Sequence, residues 1–306
     1  MNRTPLLLAA LLLLTSLLPS LLPSPAHAGT LRERIAERRA ASQDADWLQA
    51  IPGSEVKRNV AYGVEAAQKM DVYLPPNAKG APVLLMVHGG AWRIGNKNLP
   101  DVMENKVKRW LPKGIILVAI NYRMLPEADP LTQADDVARA LARVQQLAPS
   151  WGGDPARVVL MGHSAGAHLV SLLSAAPEIS AKHGVRPWLG TVSLDTAAMD
   201  VPVIMQRRHP RLYDDAFGSN PAYWNDTSPL QRLENAGQPL LAVCSSQRQD
   251  SCQQANSFVA RATQLGMRCS SLPMNLSHAE INRNLGLPGA YTDGVESFLR
   301  SLGLPL

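Results

Sequence analysis

The chain has 306 residues, 46% of them hydrophobic and 18% charged, enough to bury one large core without disulfide or metal staples. Its formal charge of +5 comes from interleaved cations and anions, as in Arg32-Glu33-Arg34 and Glu37-Arg38-Arg39. No Lys/Arg block alternates with aromatic residues, which excludes a surface built to track nucleic acid.

Residues 1–28 have the pattern of a secretory leader: one cation, Arg3, an apolar run from Leu6 to Leu14, and Ala26-His27-Ala28 before Gly29. The alternative, a retained membrane anchor, is disfavoured because Pro19 and Pro23 interrupt the stretch before it reaches the ~20 residues a span needs. With no Cys at the cut, a lipid anchor is not expected either. The sequence thus predicts an exported protein, periplasmic or secreted, with no stable membrane span after cleavage. Residues 29–55 include a charge-rich, helical-looking entry segment from about Thr30 to Ala50, and residues 56–306 form the main domain.

Within that domain, Val60 to Tyr62 and Met70 to Tyr73 read as a hairpin. Ala81 to Val87 and Ile115 to Ile120 are continuous apolar runs, the pattern of strands buried on both faces of a parallel sheet. Further buried strands are predicted at Val158 to Met161, Thr191 to Leu194, Leu240 to Val243 and Cys269 to Leu272. Helices are predicted over Thr132 to Leu147, Ala165 to Leu173, Gln253 to Leu265 and Ala290 to Leu302. Such alternation implies βαβ units and an α/β class. The aperiodic segment from Asp200 to Pro239, rich in Pro, Arg, Asn and aromatic residues, is expected to be a lid-like excursion.

Gly162-His163-Ser164-Ala165-Gly166 lies between a predicted strand and a predicted helix, the context of a nucleophile elbow. A sharp turn there strains the serine backbone, requires small residues two positions to either side, and lifts the hydroxyl above the sheet. Upstream, Val87-His88-Gly89-Gly90-Ala91-Trp92 closes a buried strand. Its glycines let backbone N–H groups approach a ligand oxygen, so Gly89, Gly90, Ala91 and Ala165 are the candidate oxyanion hole. A serine needs a base, and the base an orienting acid. Among the histidines after the serine, His278 alone follows a late predicted strand, and it is the expected base. Between the strand Leu240 to Val243 and His278 the one acidic residue is Asp250, which makes it the expected acid. Asp195 or Asp200, after the preceding strand, is the alternative. None of the seven histidines has a metal-ligand spacing.

These motifs, with Asn121-Tyr122-Arg123 after the next strand and the order Ser164, Asp250, His278, resemble the α/β-hydrolase superfamily. More narrowly, they resemble its carboxylesterase and feruloyl-esterase-like branch, to which kynurenine formamidase is related. The resemblance covers roughly Val56 to Leu302. It implies the α/β-hydrolase fold with a mostly parallel sheet of about eight strands, no cofactor, and a small-molecule ester substrate. An amide or formamide substrate is the same-fold alternative, and an inactive binding module the third reading. The acid loop departs from the family's Gly-x-x-Asp form and is bracketed by Cys244 and Cys252. Trp92 and Trp224 are candidate substrate-binding residues, with plain core packing as the alternative. Finally, export and spacing predict a Cys244–Cys252 disulfide that leaves Cys269 a free buried thiol, against a rival Cys244–Cys269 pairing or three unpaired cysteines packed as small hydrophobes. Oligomeric state is not readable from the sequence.

Overall fold

The computed structural model describes residues 47–48 and 51–306. The expected leader over 1–28 and nearly all of the entry segment lie outside the described residues. Eight strands form one sheet in the order β1-β2-β4-β3-β5-β6-β7-β8: β1 (Glu55–Ala61), β2 (Lys69–Leu74), β3 (Ala81–Val87), β4 (Ile116–Ile120), β5 (Gly153–His163), β6 (Gly190–Leu194), β7 (Leu240–Ser245) and β8 (Cys269–Met274). β1 and β2 pair as the expected antiparallel hairpin, and β2 runs antiparallel to β4. All other pairings are parallel.

The apolar runs are continuous because helices cover both faces. In β3, Val83, Leu85 and Val87 enter the core on one face, while Leu84 and Met86 enter the core on the other. β5 divides in the same way, Val158 and Leu160 against Val159 and Met161. The long helix after β4, Pro130–Leu147, buries Ala134, Val137, Ala138, Leu141 and Val144, a period of 3.6. The helix after β5, Ala165–Ala175, is buried along its whole length. Beyond β7, Ala255, Phe258 and Ala262 of the helix Ser251–Gln264 cover Leu240, Ala242 and Cys244.

Two regions differ from the sequence reading. A helix not foreseen, α1 (Pro100–Trp110), lies between β3 and β4. Its buried face carries Met103, Val107 and Trp110 but also Lys106, and a lysine on the inner face breaks the apolar period by which such a helix is recognised. Lys106 is held there by its Nζ donating to the Asn282 carbonyl at 2.7 Å and to Asn282 Oδ1 at 3.2 Å. The Asp200–Pro239 excursion consists of four short helices, Val201–Met205, Arg211–Phe217, Pro221–Asp226 and Pro229–Arg232. It is fixed to the helix layer, since His168 donates to the Thr227 carbonyl at 2.7 Å. Among the described residues no helix is long and apolar enough to cross a membrane.

Glu296, on the last helix Ala290–Ser301, ties that helix to α1. Its carboxylate accepts from Arg109 at 2.8 and 3.0 Å, from Trp110 Nε1 at 2.9 Å and from Lys113 at 3.0 Å. The Arg109 hydrogen bonds, ahead of the opposing effect of burial, bring the carboxyl down to about 2. In an unfolded chain a Glu titrates near ~4.3, so its contribution is complete above that value and lost as pH falls through about 2. Glu296→Gln is expected to cost about 2 kcal/mol near neutrality. Urea melts of the two proteins should converge as the pH is lowered from about 5 toward the folded value; a pH-independent difference would contradict this account.

Candidate active site

The serine sits where the sequence places it. Ser164 joins β5 to the helix Ala165–Ala175 with φ 55° and ψ −117°, a conformation costing on the order of 1–3 kcal/mol for a non-glycine residue. The small neighbours are a steric requirement. A Cβ on Gly162 would stand 2.3 Å from the Gly166 carbonyl oxygen, and one on Gly166 2.3 Å from that of Val87.

The loop after β3 approaches the serine from the other side. A Cβ on Gly89 would lie 2.8 Å from both the Ser164 Cβ and the His163 carbonyl oxygen. Gly90, Ala91 and Trp92 follow with φ of 127°, 52° and 58°, a run of left-handed residues that turns the chain back on itself. The backbone N–H groups of Gly89, Gly90, Ala91 and Ala165 donate to no acceptor among the described residues. Four donors are therefore available beside Ser164, the arrangement an anion needs.

Side chains to which the sequence reading gave no supporting role hold this loop from behind. Tyr122 donates to the His88 carbonyl at 2.9 Å and stacks on the His88 ring at 4.6 Å. Gln133 Nε2 donates to the Trp92 carbonyl at 2.8 Å. Burial lowers His88 to about 4, so its ring is neutral and Nδ1 donates to the Gly89 carbonyl at 2.7 Å. Trp92 itself is buried, its indole N–H on His168 Nδ1 at 3.2 Å and its ring 5.0 Å from Phe217. It packs beneath the loop, the alternative weighed above. Trp224 is half-buried against the core and donates to the Gly218 carbonyl at 3.0 Å.

The acid is where the expectation needs correction. His278 Nδ1 lies 2.5 Å from Asp195 Oδ2, whereas Asp250 is paired with Arg207 at 2.9 Å and is 39% exposed. The loop after β7 turns Asp250 outward because its neighbour Ser251 points inward to donate to Asp195 Oδ1. Asp200 bonds Gln231 instead. Elimination failed because it searched only downstream of β7, and nothing in the run Leu194-Asp195-Thr196 distinguishes Asp195 from any polar residue at a strand end. Asp195 is fully buried. Burial would raise its carboxyl, but donors from His278, Ser251, Arg248 and the Ser245 N–H outweigh that and hold it well below the usual carboxylate range. An ionised carboxylate only accepts, so His278 Nδ1 carries the proton and Nε2 is left free to accept one. His278 is also the first residue of the short helix His278–Arg283, whose N-cap Ser277 forms a capping box with Glu280. His163, beside the nucleophile, donates from Nε2 to the His278 carbonyl at 2.9 Å, and the two rings lie 4.5 Å apart. Burial, then the proximity of His278, lowers His163 to about 3.

Cys244 and Cys252 are disulfide-bonded with their Cα atoms 5.0 Å apart. The rival pairing fails on register, since Cys269 lies opposite Leu240, four residues or ~13 Å along the strand from Cys244. Cys269 is free but half-buried, more exposed than expected; burial still raises its thiol to about 12.

The strand order, the serine turn after β5 and the histidine after β8 define the α/β-hydrolase fold. Residues 70–193 match the BD-FAE family. The chain is 35% identical over 138 residues to a probable isoprenylcysteine alpha-carbonyl methylesterase of Oryza sativa subsp. japonica, covering 44% of this chain and 32% of that one. It is 27% identical over 216 residues to esterase LipQ of Mycobacterium tuberculosis, covering 64% and 51%. The match thus spans about a third to a half of these relatives' length. Among solved structures, esterase B of Lactobacillus rhamnosis superposes with a TM-score of 0.67 at 17% identity, covering 89% of this chain and 95% of that one. The apo form of Thermogutta terrifontis esterase 2 superposes with a TM-score of 0.66 at 21% identity, covering 83% and 96%.

Trypsin separates the three cysteines, because Arg248 lies inside the disulfide loop and Arg268 immediately precedes Cys269. A non-reduced digest should yield peptides 233–248 and 249–261 joined, with Cys269 alone in an alkylatable peptide. Any cross-linked species containing Cys269 would refute the pairing.

Proposed function

We propose that this protein is a serine hydrolase of carboxylic esters in which Ser164 is the nucleophile, His278 the base and Asp195 the orienting acid. The observation that carries the reading is the Asp195–His278 hydrogen bond at 2.5 Å, which fixes the tautomer a base requires, on the same edge of the sheet as a strained serine. In the attack, Ser164 Oγ bonds to the acyl carbon as His278 Nε2 takes its proton. The carbonyl oxygen becomes an oxyanion held by the N–H groups of Gly90, Ala91 and Ala165, with Gly89 in the same turn, each donor being worth ~3–4 kcal/mol. The alcohol leaves with the proton from His278. Water, deprotonated by the same nitrogen, then attacks the acyl-enzyme, releasing the acid and restoring the serine. The leader-like N-terminus and the Cys244–Cys252 disulfide support export to an oxidising compartment.

Ser164→Ala and His278→Ala should each abolish turnover of p-nitrophenyl esters and labelling by a fluorophosphonate probe, because the pair acts as a unit. Asp195→Asn should lower kcat by on the order of 10⁴, since an amide can hold the wrong tautomer. Asp250→Asn should stay within about twofold of wild type, its carboxylate facing solvent and Arg207. The reverse ranking of the two aspartate variants would return the acid role to Asp250. The pH profile of kcat/KM should show a single rising limb, because a general base acts only in its neutral form. His88, His163 and His168 add none there, because burial lowers them to about 4, 3 and 4.

A further inference from the structure

The loop after β7 carries no acid for the histidine, yet it is bonded at four points to the acid of the neighbouring strand. The Ser245 N–H donates to Asp195 Oδ1 at 2.7 Å, and Ser251 Oγ donates to the same oxygen. Arg248 Nη1 donates to Oδ2 at 2.8 Å and to the Asp195 backbone carbonyl at 3.2 Å. The disulfide closes the loop immediately outside the two serines, since Cys244 precedes Ser245 and Cys252 follows Ser251. Arg248, at the middle of the loop, brings the same Nη1 within 3.0 Å of His278 Nδ1. Oδ2 thus accepts from two donors, the guanidinium and the imidazole.

We propose that the Cys244–Cys252 loop is a socket that orients Asp195, and that Arg248 is a positioning residue sharing the carboxylate with His278. The inference rests on the triad reading above. Asp195 has φ 57° and no exposure, so neither its backbone nor solvent would keep its carboxylate aimed at the imidazole. A loop closed by a disulfide between residues eight positions apart, with a donor at each end and one at its centre, does so. The guanidinium has a second effect. A fixed positive charge beside the ring, drawing on the same carboxylate oxygen, opposes a second positive charge on the imidazole. The other titratable groups near the ring leave this balance to Asp195 and Arg248. His163 is neutral, lowered to about 3, Glu280 is occupied by Ser277, and Lys106 is bonded to Asn282 at the far side of the short helix.

The test compares full-length wild type, Arg248→Met and Arg248→Lys for kcat and KM on p-nitrophenyl acetate across the pH range. Arg248→Met should lower kcat about tenfold with KM nearly constant, a typical cost of losing a group that orients another. It should also move the rising limb of kcat/KM to higher pH by about half a unit or more, because the repelling charge is gone. Arg248→Lys should return the limb to its wild-type position, an effect that general loosening of the loop would not produce. If Arg248→Met does not fold, Arg248→Gln, which keeps a donor and drops the charge, gives the same reading. Reducing the disulfide in folded wild type should slow fluorophosphonate labelling, the socket having opened. A neutral Arg248 variant with unchanged kcat and an unmoved limb, or labelling indifferent to reduction, would overturn the proposal. Ser164→Ala in the same assay separates the two readings: residual turnover there removes the triad itself, whereas an inactive Ser164→Ala beside an unaffected Arg248→Met removes the socket alone.

Discussion

The site depends on the backbone ladder continuing past the strand ends at the carboxyl edge of the sheet. His163 lies opposite Leu194, Leu194 opposite Val243, and Val243 opposite Leu272. One step further, the Ser164 N–H still donates to the Leu194 carbonyl at 3.0 Å, the Asp195 N–H to the Val243 carbonyl at 2.8 Å, and the Ser246 N–H to the Met274 carbonyl at 2.9 Å. These bonds extend the ladder to the first residue beyond each of β5, β6 and β7. Ser164 and Asp195 are both left-handed at φ 55° and 57°. Each leaves its strand abruptly at the point where the last ladder bond is made, and the sheet's cooperativity offsets the strain.

The same edge shows why the glycine loop after β3 needs so much support. Three consecutive residues at positive φ and N–H groups without protein acceptors form a segment that would relax if left alone. It is held from below by Tyr122, Gln133 and the indole of Trp92. Even so, His88 Nε2 and Gln133 Oε1 stay buried without partners, each a cost on the order of 1–3 kcal/mol. The donors stay aimed outward because the inward side is packed with side chains that have no alternative place.

What was legible in the sequence follows physical range. β3 is recovered residue for residue and the other central strands to within a few positions, since burial on both faces writes itself as an unbroken apolar run. The elbow and the glycine loop are legible because each requires small residues at fixed short spacing. The carboxylate partner of His278 was not, because Asp195 and His278 are 83 residues apart and meet only through the strand order. α1 escaped for a different reason: the buried Lys106 hides its inner face, and the group that neutralises this anomaly, Asn282, lies 176 residues away. Arg248 escaped for the same reason of range, since its partners come from two other strands' loops.

The position of the carboxylate that meets His278 is less arbitrary than its displacement from β7 to β6 suggests. β6 and β7 are adjacent, and the register that pairs Leu194 with Val243 sets Asp195 beside Cys244. A carboxylate rooted on either strand end therefore occupies nearly the same region of space, and the histidine after β8 reaches it from one side only. What changes is which strand supplies the charge and which supplies its partners. With the acid on β7 its own loop would have to fold back to hold it; with the acid on β6, the β7 loop is free to close over it with Ser245, Arg248 and Ser251. Asp250, released from facing the histidine, turns outward to Arg207. A triad defined by where its atoms meet tolerates this exchange of roles between neighbouring strands, because hydrogen-bond geometry, not chain position, sets the tautomer of the base.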